Sequence, residues 1–310
     1  MASLSAASTV TEGTIPFVVP SLPEKPCQTY YKIFGTLSKG VTPLIALHGG
    51  PGVGHEYLLA LEDLGVPLIL YDQMGCGKST HYPEKMGDTS FWTEQLFLDE
   101  LNTVIHYLGV QDDYNLAGHS WGGMLASRHA ALQPQGLKRL VLMSCPADMK
   151  MWVEAQNRLR QRLPKEVQDI MEKHEVNKTT DSEGYQEVME IFYEQFLCLL
   201  KPMPEPIMHS LKEIERDPTV YLTMNGPSEF HVIGPLADWS IIEDVHKISV
   251  PTLITNGRFD EAQDEVVAPF FEKISRVKWV RFDNSEVQSH MPHHEERDRY
   301  MKEVKAFLAY

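Results

Sequence analysis

Short apolar runs alternate with stretches of helical periodicity along most of this chain. Thr14–Val19 and Thr29–Gly35 alternate apolar and polar residues and predict an entering antiparallel hairpin or meander. Pro43–Leu47, Pro67–Tyr71, Asn115–Ala117 and Leu137–Met143 are near-continuously apolar, the pattern of strands buried on both faces. Trp92, Leu96, Leu101, Val104, Ile105 and Leu108 fall on one helical face, so a helix is predicted over 92–108, with Ser90 able to cap it and Gly109 stopping it. A further helix is predicted from Met124. After Cys145-Pro146 the strands cease. Charged helical segments follow over Met151–Arg162, Lys165–His174, Tyr185–Leu200 and Glu205–Arg216, separated by breakers. The strand pattern resumes at Pro251–Gly257 and Val277–Phe282, and an amphipathic helix over His294–Leu308 ends the chain. Alternating strands and helices require a mostly parallel sheet covered by helices on both faces. The expected organisation is a core of residues 1–146 and 236–310, with residues 147–235 as a helical cap inserted over the sheet.

One stretch of that pattern carries chemistry. Gly118-His119-Ser120-Trp121-Gly122 follows an apolar run and precedes helix-forming residues. A strand that delivers a serine to a tight turn, from which a helix leaves at once, is the nucleophile elbow of an α/β-hydrolase. A chance Gly-x-Ser-x-Gly in a loop is the competing reading, and the rest of the chain decides between them. Asp260 follows the strand ending at Asn256, and His290 follows the strand ending at Phe282. The order Ser120, Asp260, His290 is the one this fold requires, with Ser120 as nucleophile, His290 as its base and Asp260 fixing the imidazole tautomer. The turn His48-Gly49-Gly50-Pro51-Gly52 follows an earlier buried strand. It offers the Gly50 N–H as one oxyanion donor, and Trp121 N–H is the other.

Composition narrows the field. At 310 residues the chain suits one large domain with an insertion, or two domains. A formal charge of −15 argues against nucleic acid or an anionic membrane surface as partner. No apolar run is long enough to span a bilayer. Met1–Thr14 lacks the basic and apolar regions of a secretory signal, and Cys27, Cys76, Cys145 and Cys198 form no paired motif. These features point to a reducing cytoplasmic location. Gly75-Cys76-Gly77-Lys78-Ser79 resembles part of a phosphate-binding loop, but Asp72 stands where the motif needs a glycine. His290, His293 and His294 with Glu295 and Glu296 lack a zinc-site spacing, and His293 and His294 are read as helix-start or surface residues. No metal or cofactor is expected.

The chain resembles the proline iminopeptidases (prolyl aminopeptidases) and their fungal amino-acid-amidase-like relatives. The resemblance is carried by His48–Gly52, by Asp72-Gln73-x-Gly75-x-Gly77-x-Ser79 and by Gly118-x-Ser120-Trp121-Gly122-Gly123. It extends to Asn225–Phe230 with Gly234 and Asp238-Trp239, to Phe259–Glu261 and to Ser289–Met291, and covers most of the chain from Leu44 onward. It implies that Glu229 and Glu261 hold the free α-ammonium of the substrate. That role makes physical sense, because two carboxylates give charge-assisted hydrogen bonds to an ammonium and discriminate against blocked N-termini. The chain departs from the family pattern at Asp283–Ser289, which is longer before the histidine and leaves His293 as an alternative base, and at His119 inside the elbow.

The expected function is therefore that of a serine hydrolase. It would release an N-terminal residue, proline among the candidates, from short peptides or amino-acid amides through an acyl-enzyme. Two other readings stay open: an esterase or biosynthetic acyl-transfer enzyme on the same scaffold, and a hydrolase-fold receptor without catalysis. Oligomeric state is not readable.

Overall fold

The computed structural model describes residues 9–283 and 288–309. The chain opens with an antiparallel hairpin, β1 (Val10–Phe17) and β2 (Cys27–Phe34). Both strands begin earlier than the sequence pattern predicts; in β1 the added residues Val10–Gly13 are exposed or half-buried and so leave no burial signal. Next come β3 (Leu44–Leu47), a 3-10 helix (Glu56–Leu64) and β4 (Leu68–Tyr71). Every residue of β3 and β4 is buried, as central parallel strands demand. Helix α1 (Glu94–Tyr107) is capped by Thr93, whose side chain accepts from Leu96 N–H. Ser90, the residue expected to cap it, instead donates to Asp88 at 2.6 Å.

The elbow follows as β5 (Tyr114–His119) and α2 (Trp121–Ala131), then β6 (Leu137–Met143). Between β6 and the next strand lie five α-helices: α3 (Met149–Arg160), α4 (Lys165–Asn177), α5 (Glu183–Phe196), α6 (Glu205–Arg216) and α7 (Thr219–Met224). Four of them match the predicted segments. The fifth, α7, is too short to show a period. Asp148 starts α3 by accepting from the N–H groups of Lys150 and Met151. α3, α4 and α5 share an apolar cluster of their own, including Leu159, Met171, Phe192 and Phe196.

The sheet then completes with β7 (Thr252–Gly257), α8 (Asp264–Lys273) and β8 (Val277–Phe282). The predicted closing helix is two pieces, α9 (Pro292–Glu295) and α10 (Arg297–Leu308), because Glu296 leaves helical geometry at φ −122°, ψ 49°. The eight strands run in the order β1-β2-β4-β3-β5-β6-β7-β8. β2 pairs antiparallel with β1 and β4, and every other pairing is parallel. The carboxyl ends of β3 to β8 therefore share one edge, where ligands gather in such sheets. The extended stretch before His290 lies partly at Asn284–Val287, and the leader reading partly at Met1–Ser8, both outside the described residues.

Candidate active site

Ser120 sits between β5 and α2 at φ 54°, ψ −122°, a conformation that L-residues adopt only when the surroundings impose it. Two glycines make the turn possible. A Cβ on Gly118 would lie 2.1 Å from the Gly122 carbonyl oxygen, and one on Gly122 would lie 2.3 Å from the Leu47 carbonyl oxygen. Strand, turn and helix are thus pressed together with no room for side chains. The serine one helical stretch further on, Ser127, is fully buried inside α2 and donates to the Met124 carbonyl.

His290 and Asp260 come from the loops after β8 and β7. His290 Nδ1 lies 2.6 Å from Asp260 Oδ1. Asp260 is fully buried and accepts three further bonds, from Ser144 Oγ (2.6 Å), Gly257 N–H (3.0 Å) and Ala262 N–H (2.7 Å). Ser144 follows β6, so Asp260 is gripped from two strand ends. Burial disfavours the charged form of His290, but the Asp260 carboxylate, with Glu261 and Glu229 beside it, outweighs this and lifts the imidazole pKa to about 9. His293 makes no such pair. It is fully buried near the start of α9, so of the two placements expected, helix start or surface, the first holds and the second does not; its ring is packed among Tyr57, His119, His294 and Tyr300. Burial holds it well on the neutral side.

The two expected oxyanion donors border the same space beside Ser120. Trp121 opens α2, so its N–H has no acceptor within the helix. Gly50 has φ 103°, which favours glycine. Gln73 joins the segments that carry them: its Nε2 donates to the His48 carbonyl (2.9 Å) and its Oε1 accepts from the Trp121 indole (2.8 Å). The rest of the Asp72–Ser79 motif folds around Asp72, which accepts from the N–H groups of His55 and Lys78, while Ser79 Oγ donates to its carbonyl. The phosphate-loop likeness is thus a turn wound on a carboxylate. His55, Glu56 and Asp72 place ligand atoms within 4.8 Å of one another. Asp72 Oδ1 accepts from both His55 N–H and His55 Nδ1, which commits the ring nitrogen and makes this a structural knot.

Glu229 and Glu261 face a cavity that also touches Ser120 and His290. Glu229 follows α7 and is half-buried; Tyr221 OH donates to its Oε1 (2.8 Å) and Trp152 Nε1 to its Oε2 (3.1 Å). Glu261 is 3% exposed, and its Oε1 has no hydrogen-bond partner among the described residues. Burial pushes both carboxyls up, Glu261 further by repulsion from Glu229 and Asp260 although His290 opposes it. The far wall is apolar, with Val53, Leu197, Ile207, Leu211 and Ile214. A smaller recess beside Ser120 is lined by Met124, Pro146, Met149, Trp152 and Leu236. Sequence reasoning missed Gln73, Ser144, Trp152 and Tyr221 as site residues. Only Gln73 lies in a stretch it had singled out.

The family model for the alpha/beta hydrolase fold matches residues 42–296. A proline iminopeptidase of Saccharolobus solfataricus is 36% identical over 282 residues, covering 90% of this chain and 88% of that protein. One from Heyndrickxia coagulans is 36% identical over 271 residues, covering 87% and 91%. This chain belongs to the proline iminopeptidase family of α/β-hydrolases. Among solved structures, the Mycobacterium smegmatis proline iminopeptidase superposes with a TM-score of 0.85 at 36% identity, covering 96% of this chain and 98% of that one. The crystal structure of VinJ superposes with a TM-score of 0.90 at 45% identity, with the same coverage. Proline iminopeptidase relatives thus align with nearly the whole sheet and the inserted helices, not the elbow alone.

Proposed function

We propose that this protein is a serine aminopeptidase that hydrolyses the first amide bond of short peptides or amino-acid amides bearing a free N-terminus. The observation that carries this reading is a pair of carboxylates, Glu229 and Glu261, facing the same cavity as Ser120 and His290, one of them buried with an oxygen that has no partner among the described residues. A buried carboxylate without a partner is costly, and a substrate ammonium is the partner that relieves it. Residues 147–235 act as a cap that limits access to short or unstructured N-termini.

The reaction follows from the geometry. The ammonium on Glu229 and Glu261 presents its own carbonyl to Ser120. Ser120 Oγ adds to the carbonyl carbon as His290 Nε2 takes the hydroxyl proton. Asp260 holds Nδ1–H and stabilises the imidazolium. The Gly50 and Trp121 N–H groups receive the oxyanion. Collapse breaks the C–N bond, and the leaving amine takes the proton from His290. Water, deprotonated by His290, then releases the amino acid and restores Ser120. The recess of Met124, Pro146, Met149 and Leu236 is the space for the N-terminal side chain and suits a compact apolar residue such as proline.

The substrate is a small molecule, and neither nucleic acid nor membrane is a partner. The net charge of −15 opposes polyanions, and no helix among the described residues is long and apolar enough to cross a membrane. Four buried, unpaired cysteines suit a cytoplasmic location. The test compares turnover of an amino-acid amide, its N-acetylated form and the matching ester. Loss of turnover on acetylation supports the reading; equal turnover of free and blocked substrates sinks the ammonium site. Labelling by a fluorophosphonate that vanishes in Ser120→Ala and persists in Ser127→Ala separates an enzyme from a binding protein.

A further inference from the structure

Four segments meet around Ser120: the glycine turn after β3, the 3-10 helix, the elbow and the loop that carries His290. A single run of hydrogen bonds joins them. The Gly49 N–H lies 2.7 Å from Tyr57 Oη, Tyr57 Oη lies 2.9 Å from His119 Nδ1, and His119 Nε2 lies 2.9 Å from the His290 carbonyl oxygen. Both ends of this run have fixed roles. A backbone N–H can only donate and a carbonyl can only accept. His119 must therefore carry its proton on Nε2 and present Nδ1 as acceptor, so Tyr57 donates to it while accepting from Gly49. Only one proton arrangement satisfies every link. His119 is 2% exposed and Tyr57 likewise 2%, so water does not compete. Burial, with His290 nearby, holds His119 well on the neutral side, the state this arrangement needs.

The same contacts fix spacing. A Cβ on Gly49 would lie 3.1 Å from Ser120 Cβ and 3.2 Å from the His119 carbonyl oxygen, so the turn rests directly on the elbow. The His119 and His290 rings meet edge to face with centroids 4.5 Å apart. Tyr57 is held in turn by His294, whose Nε2 donates to the Tyr57 carbonyl at 2.7 Å. Thus the backbone of the base, the residue before the nucleophile and the turn that carries the Gly50 amide are braced against one another through two side chains.

We propose that Tyr57 and His119 are positioning residues for the hydrolysis: a one-directional relay from Gly49 N–H through Tyr57 and His119 to the His290 carbonyl sets the base and the oxyanion turn at working distance from Ser120. This rests on the assignment of Ser120 and His290 above. Tyr57 and His119 border the same cavity, but the bonds of the relay involve neither Glu229 nor Glu261, so its loss lowers the rate of attack more than the affinity for substrate.

The test is the second-order rate of Ser120 phosphonylation by a small fluorophosphonate, which depends on nucleophile, base and oxyanion amides and needs no ammonium bound at Glu229 or Glu261. Tyr57→Phe deletes one oxygen and keeps the ring. His119→Leu deletes both links. Each is expected to slow the reaction about 10-fold or more, because small displacements of reacting groups cost that much or more. For amide substrate, kcat falls by the same factor while KM changes less than about 3-fold. The double variant reacts about as slowly as either single one, since both break one chain. His119→Gln restores the rate to within about 3-fold, because the amide offers one acceptor and one donor flanking a single carbon, as the neutral imidazole does. A purely structural role predicts no such rescue. If Tyr57→Phe and His119→Leu, folded by circular dichroism, react as fast as wild type, or if His119→Gln is as slow as His119→Leu, the relay is wrong. If His119→Leu does not fold, Tyr57→Phe and His119→Gln decide it alone. A wild-type enzyme that does not react at all overturns the Ser120 assignment and the relay together, whereas a reactive wild type with equally reactive variants overturns the relay only.

Discussion

Tyr221 donates its hydroxyl to Glu229 Oε1 at 2.8 Å, and this bond fixes one of the two cavity carboxylates to a helix of the inserted segment. The other, Glu261, keeps Oε1 unpartnered among the described residues. The two therefore differ in what they offer a ligand: Glu229 is held in place by neutral donors, while Glu261 has an oxygen in reserve. Glu261→Gln is expected to lower kcat/KM for a free-amine amide by about 10–100-fold, mostly through KM, as does Glu229→Gln, whereas Tyr221→Phe lowers it less than about 10-fold. Steady-state kinetics on free and N-acetylated substrates checks this; the acetylated substrate gains nothing from either carboxylate and shows no further loss.

The pH dependence follows from the charges around His290. Its pKa in the free enzyme is raised to about 9, so the imidazole is protonated and unable to act as base below that pH. Since kcat/KM reports free enzyme and free substrate, it rises with pH up to about 8, levels as the substrate's own α-ammonium is lost there, and falls above about 9. A bound ammonium offsets the carboxylates that raise His290, so the acid limb of kcat lies below about pH 9. Glu261→Gln removes one of those carboxylates, and the acid limb of phosphonylation by a fluorophosphonate, which carries no ammonium, moves to lower pH. A limb that stays put in the variant rules out this coupling.

Ser144→Ala tests the support beneath Asp260. The hydroxyl is one of two donors to Oδ2, and the carboxylate is fully buried, so the loss leaves a less secured anion. The expected outcome is a fall in kcat of about 10-fold with KM little changed, and a loss of stability of about 1–3 kcal/mol in urea unfolding.

Most strands of the parallel sheet were legible because they are buried on both faces and so read as near-continuous apolar runs ending in a turn, while β8 shows instead by its alternation. The positions of Ser120, Asp260 and His290 at strand ends followed from that reading. β1 starts earlier than predicted, and the 3-10 helix over Glu56–Leu64 was not foreseen, because exposed pairing and three-residue periods leave weak patterns. Glu229 and Glu261 came from family resemblance and not from spacing. Trp152 and Tyr221 reach the site from α3 and α7 only through tertiary packing, which no local pattern encodes. His293 was misjudged because a histidine at a helix start looks polar until the packing of Tyr57 and Tyr300 against it is known.

Glu100 gives a stability prediction away from the site. It is fully buried on α1, where Thr29 Oγ1 donates to it at 2.5 Å and Met74 N–H at 3.0 Å. Burial raises its pKa from 4.5 to about 7. The folded state thus retains a proton that the unfolded chain loses above pH 4.5, and stability from this group falls as pH rises through about 7. Glu100→Gln removes that dependence. Relative to wild type it gains about 1–3 kcal/mol between pH 5 and pH 8, measured by urea unfolding at both.

Helices α3, α5, α6 and α7 supply part of the cavity wall, and α3 to α5 rest on an apolar cluster of their own rather than on the sheet alone. The nucleophile, the base, the acid and the oxyanion amides all hang from strand ends. The apolar wall at Ile207, Leu211 and Ile214 is thus written in a different stretch of the chain from the strand ends, and mutation can drift there and change which chain fits beside Glu229 and Glu261 while the strand-end groups are inherited unchanged.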